Sequence, residues 1–211
     1  EPYRRQRQMC IRDSSNSLRG IVNGIDYDEF NPETDSYIAQ NYNAKNFRKE
    51  KIKNKIQLQK DLGLEQDPKA MMIGIVSRLT DQKGFDLIAY IMDELCQDAV
   101  QIVALGTGEE RYENMFRHFD WKYHGKVSAQ IYYDEAMSHR IYAASDAFLM
   151  PSLFEPCGLS QLISLRYGTV PIVRETGGLK DTVRPYNEYE NTGDGFSFAN
   201  YNGEEMLGVV N

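Results

Sequence analysis

The sequence predicts an α/β fold, a parallel sheet of about six strands with helices on both faces. Three observations indicate it. Short, uniformly apolar runs recur after position 70, patterns of helical spacing separate them, and most glycine and charged residues stand in the loops after the apolar runs. Strands covered on both faces are apolar throughout, and strand–helix alternation implies parallel strands with right-handed crossovers. The pattern is therefore Rossmann-like.

Each predicted element rests on local spacing. The apolar runs that indicate strands are 71–76, 101–105, 127–132, 147–150, 170–173 and 195–198. Apolar residues recur at helical spacing over 85–95 and 159–166. Asp134 and Glu135 open a further helix to Ala144, because an acidic first turn suits the helix dipole.

The chain divides into three parts. Residues 1–16 are rich in Arg, Ser and Gln, and we expect a tail that is disordered or foreign to the fold. Residues 17–69 are predicted to form a linker and an entry helix over 45–62, with Gly63 as its stop and its basic residues on a solvated face. Residues 70–211 form the Rossmann-like domain, whose last helix pattern only begins at 204–210, so we expect a C-terminal truncation.

Composition narrows the function classes. A net charge of −7 argues against nucleic acid or an anionic membrane as the main partner, and no apolar run is long enough to cross a membrane. The three cysteines are odd in number and widely spaced, which favours free thiols in a reducing compartment. The histidines lack zinc-like spacing, and we expect His139 on a helix surface with no metal role.

The first two loops after strands suggest a phosphate site. Arg78 and Lys83 flank a loop that ends at a helix start, as in a pyrophosphate clamp, although two surface cations would look the same. Gly106-Thr107-Gly108 indicates a tight turn beside a nucleotide. The dinucleotide pattern G-x-G-x-x-G fails at Arg111, which weakens an NAD dehydrogenase hypothesis.

Two later loops complete the candidate site. Tyr133 ends a strand and either stacks on a base or fills the rim. Glu155 lies between helix starts near Gly158 and Gly177, so a ligand that is anionic at one end and rich in hydroxyls at the other is expected, such as a nucleotide sugar. Its alternative role is to cap the helix start at 158–160. Cys157 has no histidine nearby in the sequence, which argues against nucleophilic catalysis.

An ordered set of motifs resembles the bacterial glycogen synthase and plant starch synthase family, ADP-glucose-dependent glucosyltransferases of the two-domain GT-B fold. The motifs are Asn23-Gly24-Ile25-Asp26, Ser77-Arg78-Leu79, Gln82-Lys83-Gly84, Gly106-Thr107-Gly108, Phe154-Glu155-Pro156-Cys157-Gly158-Leu159 and Thr176-Gly177-Gly178-Leu179. The match runs from about residue 18 to 211 and resembles only the C-terminal, donor-binding half.

The resemblance implies roles for these residues. Arg78 and Lys83 would hold the diphosphate and stabilise the leaving ADP, and Glu155 would contact the glucose hydroxyls. The implied donor-binding residues are Asn23, Ser77, Gly106, Thr107, Gly108, Tyr133, Cys157, Gly158, Leu159, Ser160, Thr176 and Gly177. The transfer would carry glucose to the non-reducing end of an α-1,4-glucan with retention, and would need neither metal nor cofactor.

The sequence also departs from the family. The N-terminal domain is absent, with its Lys-x-Gly-Gly-Leu loop and most of the acceptor groove, so we expect weak ADP binding and no glucan elongation by this chain alone. Another GT-B glycosyltransferase and a non-catalytic nucleotide-binding module stay open as alternatives. The expected location is the bacterial cytoplasm, or a plastid for a plant protein, and the oligomeric state is left open.

Overall fold

The computed structural model describes residues 21–211, and the predicted tail at 1–16 lies outside this range. The strands are β1 (Met71–Val76), β2 (Val100–Leu105), β3 (Val127–Gln130), β4 (Ala147–Met150), β5 (Val170–Arg174) and β6 (Phe196–Phe198). The α-helices are α1 (Phe47–Asp61), α2 (Phe85–Leu95), α3 (Glu110–Lys122), α4 (Glu135–Ala144), α5 (Ser160–Arg166), α6 (Gly177–Thr182) and α7 (Gly203–Val210). Between positions 21 and 211, no helix combines the length and apolarity that a membrane crossing requires.

All six strands form one parallel sheet in the order β3-β2-β1-β4-β5-β6, which confirms the predicted fold class. The order reverses between β1 and β4, so the loops after these two strands leave in opposite directions and open a crevice. Gly74 of β1 lies opposite Phe148 of β4 in this register. A Cβ on Gly74 would lie 2.6 Å from the Ser145 hydroxyl and 2.7 Å from the Ile141 side chain, so glycine lets α4 pack closely on the sheet.

Apolar side chains fill both faces of the sheet. One cluster packs under α2, α3 and α7 around Phe85, Phe116 and Met206. On the other side, separate clusters gather around Leu58 and around Tyr167. This double coverage explains why the strands show no polar alternation: every residue of β2 is buried.

The helix α3 was not among the helices that apolar spacing indicated. Its buried residues are Tyr112, Phe116 and Phe119, and the rest of the helix is largely polar. These three aromatic residues do follow helical spacing, but they are too few to stand out from the charged residues around them. The predicted strand at 127–132 also ends early, at Gln130.

The prediction that the basic residues of α1 form a solvated face is wrong for two of them. Lys51 and Lys55 are buried. The Lys51 ammonium donates hydrogen bonds to the backbone oxygens of Ala143 (2.9 Å) and Tyr167 (3.1 Å) and to the hydroxyl of Thr169 (2.8 Å). Lys51 therefore satisfies carbonyl groups at the C-terminal ends of α4 and α5.

The prediction that His139 lies on a helix surface is also wrong. The side chain is buried, with 1% of its surface exposed. Its Nδ1 lies 2.8 Å from Asp35 Oδ2 and 3.1 Å from the Tyr167 hydroxyl. Burial alone would raise the pKa of Asp35, but hydrogen bonds from His139, Tyr167 and the Tyr37 amide outweigh it and lower the pKa. Asp35 belongs to the predicted linker, so this contact fixes the linker to α4.

Candidate functional site

The loops after β1, β2, β4 and β5 meet at the carboxyl end of the sheet, and we call their residues 77–84, 106–109, 151–159 and 174–178 the sheet edge. The first two loops are joined by backbone hydrogen bonds. Leu79 donates to the Thr107 oxygen at 2.9 Å, and Glu109 donates to the Leu79 oxygen at 2.7 Å. A Cβ on Gly106 would lie 1.8 Å from the Ser77 oxygen, and a Cβ on Gly108 would lie 2.2 Å from the Leu79 oxygen. These glycines therefore allow the two loops to approach each other.

The loop after β1 also docks on the loop after β4. Leu153 donates its backbone N–H to the Gln82 oxygen at 2.9 Å, and the Gln82 side chain donates to the Phe154 oxygen at 3.1 Å. Gly84 adopts a φ of 75°, and a Cβ there would lie 2.1 Å from the Pro151 oxygen. This docking brings the side chains of residues 83 and 155 together.

Lys83 and Glu155 form an ion pair between their ammonium and carboxylate groups. The Lys83 side chain is 17% exposed and the Glu155 side chain is 10% exposed. The pair is therefore largely buried, with a small part accessible to solvent. Glu155 does not cap the following helix. Its carboxylate is directed to Lys83, and no side chain caps the N-terminus of α5.

A second glycine pair, Gly177 and Gly178, fixes the backbone of the loop that carries Glu155. The N–H of Gly178 donates to the Glu155 oxygen at 3.0 Å. A Cβ on Gly177, which has a φ of 46°, would lie 2.1 Å from the same oxygen, and one on Gly178 would lie 2.1 Å from the Cys157 oxygen. Side chains at these positions would push the two loops apart, so the glycines position Glu155 as well as opening α6.

Arg78 faces a neighbouring cavity of about 200 Å³. Within residues 21–211, Arg78 has no carboxylate at ion-pair distance, and its side chain is exposed. Tyr133 stands at the mouth with 86% of its surface exposed, so its ring is free to stack. The lining residues are Val76, Ser77, Arg78, Leu105, Gly106, Thr107, Tyr132, Tyr133, Asp134 and Ser138.

A second, smaller cavity lies beside Lys83. It has a volume of about 30 Å³, and both Lys83 and Ser160 line it. Val76 and Ser77 line this cavity and the larger one, so the two cavities are adjacent along the end of β1. The structure therefore places both predicted cations and Glu155 along one edge of the sheet.

The remaining predicted residues surround the Glu155 loop. The backbone N–H of Asn23 donates to Cys157 Sγ at 3.3 Å, which brings the start of the linker to this loop. Leu159 and Ser160 begin α5, and Thr176 precedes α6. These helices have seven and six residues, so their dipoles are small and the cations must supply most of the attraction for an anion.

Sequence reasoning missed side chains that position the site from a distance. Gln161 donates its side-chain N–H to the Cys157 oxygen and to the Thr182 hydroxyl, both at 3.0 Å. Ser138 and Asp134 line the larger cavity from α4 and its N-cap. Asp134 was predicted to open α4 together with Glu135, but nothing local to Gln161 or Ser138 reveals which loop they face.

Comparisons with known proteins agree with the motifs. The family model described as glycosyl transferases group 1 matches residues 54–210. The chain is 75% identical over 201 residues to a glycogen synthase of Lachnospira eligens and 66% identical over 200 residues to one of Lachnoclostridium phytofermentans. Each alignment covers 95% of this chain and 42% of the relative. The chain thus spans less than half the length of these curated relatives.

Solved structures show the same fold. The catalytic domain of starch synthase IV from Arabidopsis thaliana, bound to ADP and acarbose, is 37% identical with a TM-score of 0.85 over 96% of this chain and 42% of that one. The C-terminal domain of a group 1 glycosyl transferase from Francisella tularensis shares the fold at 15% identity, with a TM-score of 0.62 over 89% of this chain and 86% of that domain. The predicted resemblance to glycogen and starch synthases is confirmed, and the chain belongs to the group 1 family of glycosyl transferases.

Proposed function

We propose that this chain is the donor-binding half of a retaining glucosyltransferase that moves glucose from ADP-glucose to the non-reducing end of an α-1,4-glucan. The observation that carries the proposal is the arrangement at the sheet edge. Arg78, which has no carboxylate partner among residues 21–211, lies in the same loop as Lys83 of the Lys83–Glu155 ion pair. The names of the relatives support the reaction, and the ADP in the starch synthase IV structure supports the nucleotide.

The larger cavity suits the nucleotide end of the donor. The adenine would stack on the exposed ring of Tyr133, since a base and an aromatic ring attract each other through their faces. The guanidinium of Arg78 lies beside this cavity and presents paired N–H groups that match phosphate oxygens. The diphosphate would then lie between Arg78 and Lys83.

The ion pair suits the junction between phosphate and sugar. As the bond to the sugar breaks, negative charge develops on the departing ADP, and fixed cations stabilise that charge more than they stabilise the intact donor. Lys83 would turn part of its hydrogen bonding from Glu155 to a phosphate oxygen, which frees the Glu155 carboxylate to accept from glucose hydroxyls. We propose that Arg78 and Lys83 supply the countercharge, so that the transfer needs no metal.

The loop around Cys157 suits the sugar. Backbone N–H groups of 157–160 and of 176–177 would bind the sugar and the adjoining phosphate. Asn23 would approach the sugar from the linker, in agreement with its backbone contact to Cys157 Sγ. Because the similar glycogen synthases come from bacteria, we also propose a bacterial cytoplasmic location.

Calorimetric titration with ADP and with UDP tests the proposal. We expect weak binding of ADP, weaker binding of UDP, and a loss of ADP affinity of about tenfold or more in Arg78→Ala and in Lys83→Ala, because each removes a charge-assisted hydrogen bond. Arg184→Ala is the matched control, since that guanidinium is 80% exposed and pairs with Asp194 away from these loops.

Two outcomes would contradict the proposal. Unchanged ADP affinity in both edge variants would remove the diphosphate clamp, and preferential binding of UDP would favour another nucleotide-sugar glycosyltransferase. We also expect no glucan elongation by this chain alone, measured as incorporation of labelled glucose into maltooligosaccharide. Robust incorporation would show that the sheet edge is sufficient for catalysis.

A further inference from the structure

Three possible metal ligands converge where the linker meets α4. One carboxylate oxygen each from Glu29 and Glu135 and one ring nitrogen of His139 all lie within 4.8 Å of one another. Glu135 and His139 are four residues apart on α4 and therefore share a face. Glu29 comes from the linker, where the ring of its neighbour Phe30 stacks on the imidazole with 5.0 Å between ring centres.

The histidine supplies an independent indication of a ligand. Its Nδ1 is engaged by Asp35 Oδ2 and the Tyr167 hydroxyl, as described above. Its Nε2 is buried and, among the described residues 21–211, has no hydrogen-bond partner. Buried ring nitrogens are normally satisfied, so an unpartnered Nε2 on a histidine that clusters with two carboxylates indicates a ligand, and a cation suits this set of groups.

The partners of His139 prepare it for this role. A histidine that donates Nδ1–H to a carboxylate keeps the lone pair on Nε2 and has its ring orientation fixed, as in carboxylate–histidine–metal arrangements. Asp35 is buried and also accepts a hydrogen bond from the Tyr167 hydroxyl, so its carboxylate is held in place as the acceptor. Glu29 and Glu135 are exposed, which leaves the ion reachable from solvent.

We propose that Glu29, Glu135 and His139 bind a divalent transition-metal ion of the zinc class, with Asp35 as the positioning residue for His139. One imidazole and two carboxylates suit Zn²⁺ or Co²⁺, whereas Mg²⁺ and Ca²⁺ prefer oxygen ligands alone. The ion would clamp the linker to α4, the helix that begins two residues after Tyr133. It is a structural clamp, independent of the transfer reaction, and it revises the expectation drawn from histidine spacing.

Metal titration of the 211-residue chain tests the site. After incubation with zinc chloride and desalting, we expect one zinc per chain by mass spectrometry of the metal, and the same site should give a visible absorption band when loaded with cobalt chloride. Glu29→Gln and Glu135→Gln should each weaken zinc binding by more than about tenfold, because even outer partners of metal ligands are worth about 10–100-fold. Asp35→Asn should weaken it by about tenfold, and Asp35→Glu should restore part of the loss.

Matched controls keep the result interpretable. Glu33→Gln changes an exposed linker carboxylate outside the cluster and should bind zinc as the wild-type chain does. Exchange of the exposed Glu29 and Glu135 avoids the unfolding that removal of buried His139 could cause, and circular dichroism checks each fold. A wild-type chain that retains no zinc would overturn the proposal. Equal zinc binding in the wild-type chain and in both Gln variants would overturn it as well, since the metal would then lie elsewhere.

Discussion

Charged side chains meet across long stretches of sequence in two regions of this molecule, with different results. At the sheet edge, Lys83 has a single carboxylate partner and Arg78 has none among the described residues. At the linker face, which we define as Asp35, Lys51, Lys55 and His139, the lysine ammonium groups are saturated by protein oxygens. Cations with spare hydrogen bonds can take a ligand, whereas saturated cations stabilise the fold.

Removal of a buried lysine from the linker face should reduce stability the most. Lys51→Ala should lower the free energy of unfolding by about 3 kcal/mol, because buried carbonyl groups and the Thr169 hydroxyl would lose their donor. Lys53→Ala on the same helix is the control, since its ion pair with Glu50 is exposed and should be worth about 0.5 kcal/mol or less. Urea unfolding of both variants measures the difference, and similar small losses would contradict the distinction between the two regions.

The stability that Lys51 contributes at the linker face should also depend on pH. Burial lowers the pKa of Lys51 to about 7, against the opposing attraction of Asp146, from an ordinary value of 10.5. Between these values the unfolded chain binds more protons than the folded chain, so stability rises with pH. From about pH 7 to about pH 9, the wild-type chain should gain about 2 kcal/mol relative to Lys51→Met. Parallel stability curves for the two proteins would show that Lys51 stays fully charged.

A smaller loss of stability is expected from the backbone of the sheet edge. Gly177→Ala should cost about 1.5 kcal/mol, because its left-handed φ of 46° and the contact with the Glu155 oxygen both disfavour a Cβ. Gly208→Ala is the control, since a Cβ there meets nothing within 4 Å inside α7 and should raise stability slightly. Thermal unfolding compares the two. Equal effects would mean that the second glycine pair does not hold the Glu155 loop.

The smallest change is expected in ADP affinity, through the stacking of the adenine base on Tyr133. Tyr133→Ala should weaken ADP binding by about 1 kcal/mol through loss of stacking. Because Tyr133 is 86% exposed, stability should hardly change. Tyr133→Phe keeps the ring and should bind ADP as the wild-type chain does. Fluorescence competition with a labelled adenine nucleotide would measure both variants, and equal losses in both would assign the effect to the hydroxyl group instead.

The sequence predicted the sheet edge because its signals are local. Arg78, the 106–108 turn and Glu155 each lie in the loop that follows an apolar run, and parallel strands bring such loops to one edge. The ion pair between Lys83 and Glu155 could not be predicted from local sequence signals. Lys83 and Glu155 are 72 positions apart, and the sequence between them contains no pattern that joins the two side chains.

The linker face was predicted poorly because its signals are entirely long-range. A run of lysines in a helical pattern looks like a solvated face unless the carbonyl groups that receive them are known. His139 meets Asp35 across 104 residues, and only the packing of the linker on α4 reveals that the imidazole is buried. Composition and periodicity carry no information about such partners.

We infer that Arg78 and Lys83 at the sheet edge bind the diphosphate of ADP. Titration of the isotopically labelled chain with ADP, followed by amide NMR, detects this binding residue by residue even when it is weak. We predict shifts confined to the amides near Arg78, Thr107, Tyr133 and Gly177, and their disappearance in the doubly substituted Arg78→Ala, Lys83→Ala chain. Shifts on the opposite side of the sheet, or shifts that persist in the double variant, would contradict the claim.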